Sequence, residues 1–415
     1  MVIISIQRLE RKESELMETQ GEQPERKSLA FSPEEFERRY WKIREVMQLR
    51  EIDCLVITGN DSFYGSYAAD LVYVTGRSAM MGAYVVFPLE GEPLTLTADA
   101  GGPAKPVSSQ GVPFKKGKGE GRRIRDWAVG IAARIKELGL ERGRIGISDM
   151  RVMPAGVYLE LEEYLPQAKL IPAGDVLLEC RRIKSNEEQE FMLMAGRCAD
   201  AGIEALMKSA RPGVSERELV NAIEFAMIEE GAQRGNFILL TSAPWEERNN
   251  SIGIPARPER KLQKGDLILN ELCPNYSGYY VQQCIPISVD IREIDMPDSF
   301  RELFALHKEM YQTARTELRP GTTVADIERK IAKLTSSRGD FARTWALQVG
   351  ELAESHFRLN YAEIKPGMTW VNHPWTEPPR GKLGHRGHFL GNTLIVTEDG
   401  PEVTSKIPCL ELYIV

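Results

Sequence analysis

The residues best suited to chemistry crowd into one stretch, Gly265–Cys284, GDLILNELCPNYSGYYVQQC. It reads as a strand pair. Side chains two apart on a strand share a face. Glu271 therefore turns the same way as Cys273, and Gln282 the same way as Tyr280 and Cys284. If both sets turn inward, one pocket holds a carboxylate, two thiols, an amide and a phenol. A carboxylate can act as a base, a thiol as a nucleophile, and the amide and phenol can orient a substrate. Each group also has a plainer role. Buried cysteines behave as small hydrophobes, tyrosines are ordinary strand residues, and Glu271 could pair with Arg257 or Arg260.

Histidine is the second source of chemistry. Four of the five histidines, His356, His373, His385 and His388, fall in the last sixty residues. An imidazole titrates near neutrality and suits proton transfer. A single-metal site built from His356, His373, one of His385 and His388, and Glu271 is an alternative. Against it, His385 and His388 lie in KLGHRGHF, a Gly- and Lys-rich stretch whose histidines are expected to be solvated.

The elements around these residues divide the chain. Residues 1–28 are charged and expected to lack order. Ser32 with Glu35 three residues on forms a capping-box pattern before SPEEFERRYWKIREVMQLREI. CLVIT (54–58) and AYVVF (83–87) are β-branched runs in a βαβ-like stretch. DWAVGIAARIKELGL and GVYLELEEYLP read as helices, with RIGISD as a strand between them. Residues 175–212 form one long helical pattern, stopped by Arg211-Pro212-Gly213. Ser215 opens another helix. Strands dominate from 236, helices are expected near 297–318 and 324–337, and MTWVNHP and GNTLIVTE close the chain as strands.

Composition narrows the function. A chain of 415 residues suggests more than one domain. A formal charge of −7 argues against nucleic acid or an anionic membrane as partner. The local basic run from Lys115 to Arg125 is interleaved with glycine and reads as a solvated loop. No run is long and apolar enough to span a bilayer. The six cysteines show no CxxC spacing and read as thiols of a reducing cytoplasm.

Six pieces, in order, resemble the creatinase-like branch of the pita-bread family, which includes creatinase, prolidase and aminopeptidase P. They are YVTG (73–76), CRRIKSNEEQEF, RPGVSERELV, LQKGDLILNELCPNYSGYY, KPGMTWVNHP and NTLIVTEDGPEVTS. The resemblance implies an α/β N-terminal domain over 29–174 and an α+β pita-bread domain over 175–415. It also implies a homodimer, in which aromatics such as Phe63, Tyr64, Tyr67 and Tyr73 cap the site of the other subunit. The family's metallopeptidases hold two metals with two Asp, one His and two Glu. Here the Asp positions read Glu271 and Gln282, the His position falls near Gln348 or His356, and the Glu positions read His373 and about Gly391. The histidine base of creatinase would fall near Ile254, where this chain has none.

Neither catalytic set of the family is therefore expected. The reading that follows is a metal-independent enzyme without cofactor, acting on a small polar metabolite by C–N hydrolysis or a related acid–base step. His373, Glu271 and Cys284 are the catalytic candidates. Gln282, Tyr280, His356, Phe63 and Tyr64 are the substrate-binding candidates. The alternatives are a non-catalytic pita-bread binding protein and an atypical Xaa-Pro metallopeptidase.

Overall fold

The computed structural model describes residues 31–59, 69–76, 83–97, 124–150, 152–247, 258–336, 341–344, 348–349, 353–354, 363–377 and 390–415. The expected tail 1–28, Phe63, Tyr64, Tyr67, Arg257, Ile254, His356, His385, His388 and most of the basic run lie outside the described residues. Ser32–Val415 form one compact unit.

Helix α1 (Pro33–Leu49) starts where expected. The Ser32 side chain accepts from the Glu35 amide, Pro33 opens the first turn, and Glu34 and Glu35 favour its N-terminal dipole. The capping box is only half made, because the Ser32 amide donates to Glu187 at 2.8 Å. Glu35 is occupied instead by Arg38 and Arg39.

The first sheet runs β3-β2-β1-β4-β5, with β1 Cys54–Gly59, β2 Ala83–Pro88, β3 Leu94–Thr97, β4 Arg144–Ile147 and β5 Lys169–Pro172. The βαβ expectation needs correction for the first two strands. Although helix α2 (Ala69–Thr75) lies between them, β1 and β2 pair antiparallel, and only β1-β4 and β4-β5 are parallel. Helices α3 (Ile124–Glu137) and α4 (Ala155–Tyr164) bury Ile131, Ile135, Val157 and Leu161 on one face of the sheet. Helix α5 (Gly174–Arg181) adds Val176, Leu177 and Cys180 to the core on the other face.

The long helical pattern expected over 175–212 is two helices. It breaks at Arg182–Ser185, and α6 (Asn186–Ser209) begins afresh with a full capping box between Ser185 and Glu188. Helix α7 (Glu216–Glu230) repeats the device with Ser215 and Glu218. These two helices cover one face of a second, larger sheet. Gly202 of α6 lies so close that an added Cβ would stand 2.8 Å from Leu272 and 2.9 Å from Met227.

That sheet contains β6 (Gln233–Pro244), β7 (Asp266–Tyr276), β8 (Tyr279–Tyr280), β9 (Gln283–Cys284) and β10 (Ile287–Ser288). After α8 (Asp298–Glu317) and α9 (Val324–Thr335) come two short pairings. Strand β11 (Phe341–Thr344) pairs with β15 (Pro374–Glu377), and β12 (Gln348–Val349) with β13 (Ala353–Glu354). Strands β14 (Thr369–Asn372), β16 (Gly391–Thr397), β17 (Gly400–Val403) and β18 (Tyr413–Ile414) complete the large sheet, whose main path is β14-β16-β9-β7-β10-β18. Met310, Ile327, Ile331, Trp370 and Leu394 join α8, α9, β14 and β16 in one core. None of the six cysteines is in a disulfide. Among the described residues, no helix is long and apolar enough to cross a membrane.

Candidate functional site

The register of four neighbouring strands builds the site. Leu272 of β7 stands opposite Gln283 of β9, so Glu271 falls in register with Cys284. Cys284 pairs with Gly391 of β16. Asn392 pairs with Asn372 of β14, so His373 falls in register with Gly391. The result is a single row across the sheet: His373, Gly391, Cys284, Glu271. Residues directly opposite one another point to the same face.

Gly391 gives the row its chemistry. The ends of the His373–Cys284 span are two strand spacings apart, about 10 Å. A Cβ built on Gly391 would stand 1.9 Å from His373 Cδ2 and 2.5 Å from the Asn372 carbonyl oxygen. The imidazole thus lies over the place where residue 391 would carry a side chain. Glycine inside a strand often marks such a close approach. The outcome is that a Glu271 oxygen, the Cys284 sulfur and a His373 ring nitrogen all lie within 4.8 Å of one another. All three residues are buried, at 8%, 0% and 2% exposure.

Neighbouring residues hold the row in place. The Asn270 amide donates to the Ile285 carbonyl at 2.7 Å and accepts from the Ile285 amide at 3.2 Å, tying β7 to the chain just past Cys284. The Asn372 amide donates to the Tyr311 carbonyl at 2.9 Å, and the Tyr311 hydroxyl donates to Asn392 at 2.7 Å. Both ends of the His373–Gly391 contact are therefore anchored to α8. The Gln282 amide donates to Thr393 Oγ1 at 2.8 Å, fixing the backbone between β8 and β9. Cys273 packs with Tyr280, Val371 and Phe237 in a small apolar cluster.

The thiols are neutral donors. Burial, then the Glu271 carboxylate, pushes the Cys284 thiol well above its ordinary range. The same two causes act on Cys273, whose thiol hydrogen-bonds Glu271 Oε1 at 3.8 Å. Arg260 does not pair with Glu271. It forms an ion pair with Asp266 at 2.6 Å. Tyr73 is a core residue: its ring lies under the Arg39 guanidinium at 4.6 Å, in place of the expected pocket-capping role.

Two family models match the chain: the Creatinase/Prolidase N-terminal domain over residues 39–183 and Metallopeptidase family M24 over residues 190–398. The chain belongs to metallopeptidase family M24. Creatinase from a Bacillus species is 23% identical over 398 residues, covering 91% of this chain and 92% of the relative. Ectoine hydrolase from Halomonas elongata is 29% identical over 408 residues, covering 92% and 98%. The structure of an Xaa-Pro dipeptidase from Bacillus anthracis superposes with a TM-score of 0.72 at 22% identity, covering 92% of this chain and all of that one. These establish the two-domain pita-bread fold and a hydrolytic family, whose members share architecture across different chemistries.

Within this M24 fold, the structure brings Glu271, Cys284 and His373 together, with Tyr280 in the apolar flank. Of the other expected site residues, Gln282 is buried beside the row, and His356, Phe63 and Tyr64 lie outside the described residues. Besides the His position, the positions that the resemblance assigns to a metal pair offer Glu271, Gln282, His373 and Gly391: one carboxylate, one neutral amide, one imidazole and no side chain at the fourth. The residue that sequence reasoning undervalued is Gly391. Its signal was a glycine at the head of the strand GNTLIVT, which carries the apolar run LIV (394–396).

Proposed function

We propose that this chain is a metal-independent hydrolase that cleaves a C–N bond in a small polar metabolite. The carrying observation is the exchange at the ligand positions. A lone carboxylate (Glu271), a neutral amide (Gln282), an imidazole (His373) and a glycine (Gly391) stand where the resemblance puts a carboxylate-rich metal cradle. Two bridged metals call for several anionic oxygens; this donor set does not fit them. It does fit acid–base chemistry. The matches to creatinase and to an ectoine hydrolase, each over about nine-tenths of the chain, support the same reading.

In the proposed reaction His373 takes a proton from water as the water oxygen bonds to the substrate carbon. The C–N bond then breaks, and His373 returns the proton to the departing nitrogen. Glu271, with Gln282, orients the polar end of the substrate. Buried walls exclude bulk water and strengthen these interactions. The enzyme acts on a small molecule, as a homodimer, in the cytoplasm.

The test is turnover by chelator-treated, untagged protein on a panel of amidines, guanidino compounds and cyclic amides that includes ectoine. The expected result is chelator-insensitive hydrolysis that His373→Ala lowers by about 10²–10⁴-fold, with folding retained. Full activity in that variant, or activity only after metal is restored, defeats the proposal. A dimer is expected from sedimentation; a monomer would remove that part alone.

A further inference from the structure

The row does more than place a base. Its three side chains present nitrogen, oxygen and sulfur to one point. We propose that Glu271, Cys284 and His373 form a site for one thiophilic divalent cation of the Zn²⁺ or Co²⁺ type, and that the cation inhibits by occupying the groups that hydrolysis uses. The inhibitory half rests on the function proposed above; the site itself does not.

The donor set selects the ion. Mg²⁺ and Ca²⁺ prefer oxygen ligands alone, whereas imidazole and thiolate suit Zn²⁺ and its neighbours. The three donor atoms already lie within 4.8 Å of one another. A tetrahedral ion with bonds of 2.0–2.3 Å needs donors about 3.5 Å apart, so a closure of about 1 Å completes the site. Three protein ligands leave a fourth position for water. The ligands are braced as metal ligands commonly are: the Cys273 thiol hydrogen-bonds Glu271 Oε1, and Gly391 lets the imidazole lie across the strand toward Cys284. Binding is balanced simply. The Cys284 sulfur forms a bond to the ion and releases its proton to solvent, His373 binds through a neutral ring nitrogen, and Glu271 binds as its carboxylate. No electron is transferred.

The experiment uses untagged full-length protein, stripped with chelator and dialysed. Co²⁺ is added while absorbance is read. The expected result is a near-ultraviolet thiolate-to-cobalt band with the visible bands of tetrahedral cobalt, saturating at about one ion per chain. Zn²⁺ should erase both. Cys284→Ala should lose the near-ultraviolet band. Gly391→Ala keeps every ligand but displaces the ring, and should weaken uptake by about 10–100-fold. Should that variant fail to fold, His373→Gln replaces it. Absence of a saturable band in the wild type, or a band unchanged in Cys284→Ala, overturns the site. Where turnover is measured, Zn²⁺ should slow the stripped enzyme. Acceleration by Zn²⁺ would overturn the inhibitory assignment and metal independence together. Metal-free turnover with no cobalt band would leave the hydrolase standing and remove this proposal alone.

Discussion

Tyr279 and Tyr280 are adjacent in sequence and belong to two different buried polar regions. Tyr279 faces the helices. Its hydroxyl accepts from Arg39 at 3.1 Å and donates to Glu188 at 2.9 Å. Arg39, fully buried, also donates to Glu35 at 2.7 Å and to the Tyr73 carbonyl at 2.8 Å. Tyr280 faces the other way, into the cluster with Cys273 and Val371 beside the Glu271 row. In the first region charges of both signs interlock α1, α2, α6 and β8. In the second, a carboxylate, an imidazole and the Cys284 thiol converge on one point. Interlocked opposite charges serve as a brace; convergent donors serve a ligand. Strand alternation lets one short segment support both.

The largest expected effect tests the brace. Arg39→Ala removes the fully buried cation and leaves Glu35 and Glu188 with only the half-exposed Arg38 as partner. The expected loss is about 3–5 kcal/mol of stability, the usual cost of removing one partner from a buried ion pair. Urea unfolding measures it. A loss below about 1 kcal/mol, the worth of an exposed pair, would mean that the network does not brace the two domains.

The converse substitution tests the site. Glu271→Gln keeps the volume and removes a buried charge that faces thiols and an imidazole. Turnover should fall by about 10²-fold, while the urea midpoint holds or rises. A variant that lost stability as Arg39→Ala does would make Glu271 a structural charge and erase the distinction between the regions.

Acid separates the two regions further. Burial alone would raise the Glu35 carboxyl, but the Arg38 hydrogen bond and the charges of Arg39 and Arg38 outweigh it and hold the group below its ordinary value. A carboxyl depressed in the folded state contributes stability above its unfolded pKa, about 4.3, and loses it as pH falls through the folded value. Wild type should therefore lose thermal stability below about pH 4.3 more steeply than Glu35→Gln. Parallel melting-temperature curves between the two proteins would contradict this.

The two regions were unequally legible in the sequence. Helix starts at Ser32 and Ser215 follow from local capping chemistry, and strands β1, β2, β4, β14 and β16 follow from the short strand-like runs read in the sequence. Ser185 carries the same signal inside a longer helical pattern, which hid the break before α6. Glu271, Cys284 and His373 were recognisable as candidates by residue type and by resemblance. A shared pocket was also expected, but which three side chains meet within it was not legible, because that depends on register between strands about a hundred residues apart. Alternation sets which face a residue takes, and only pairing sets which residues stand opposite. Arg39 was the least legible. In ERRYW it resembles a solvated helix face, and only its burial beneath Tyr73 and Tyr279 shows otherwise.

The smallest expected effect draws the boundary within the site itself. Cys273 and Cys284 are both fully buried thiols near Glu271, but they differ in what surrounds them. Cys273 packs into Tyr280, Val371 and Phe237, whereas Cys284 stands in the row between Gly391 and Glu271. Cys273→Ala should therefore behave as a core truncation, costing about 1 kcal/mol through lost contacts and a small void. The cobalt charge-transfer band should persist, shifted only by loss of the hydrogen bond to Glu271. Abolition of the band by Cys273→Ala, with Cys284→Ala retaining it, would exchange the roles of the two cysteines. The metal point would then move one pair along the sheet, toward Phe237, which is in register with Cys273.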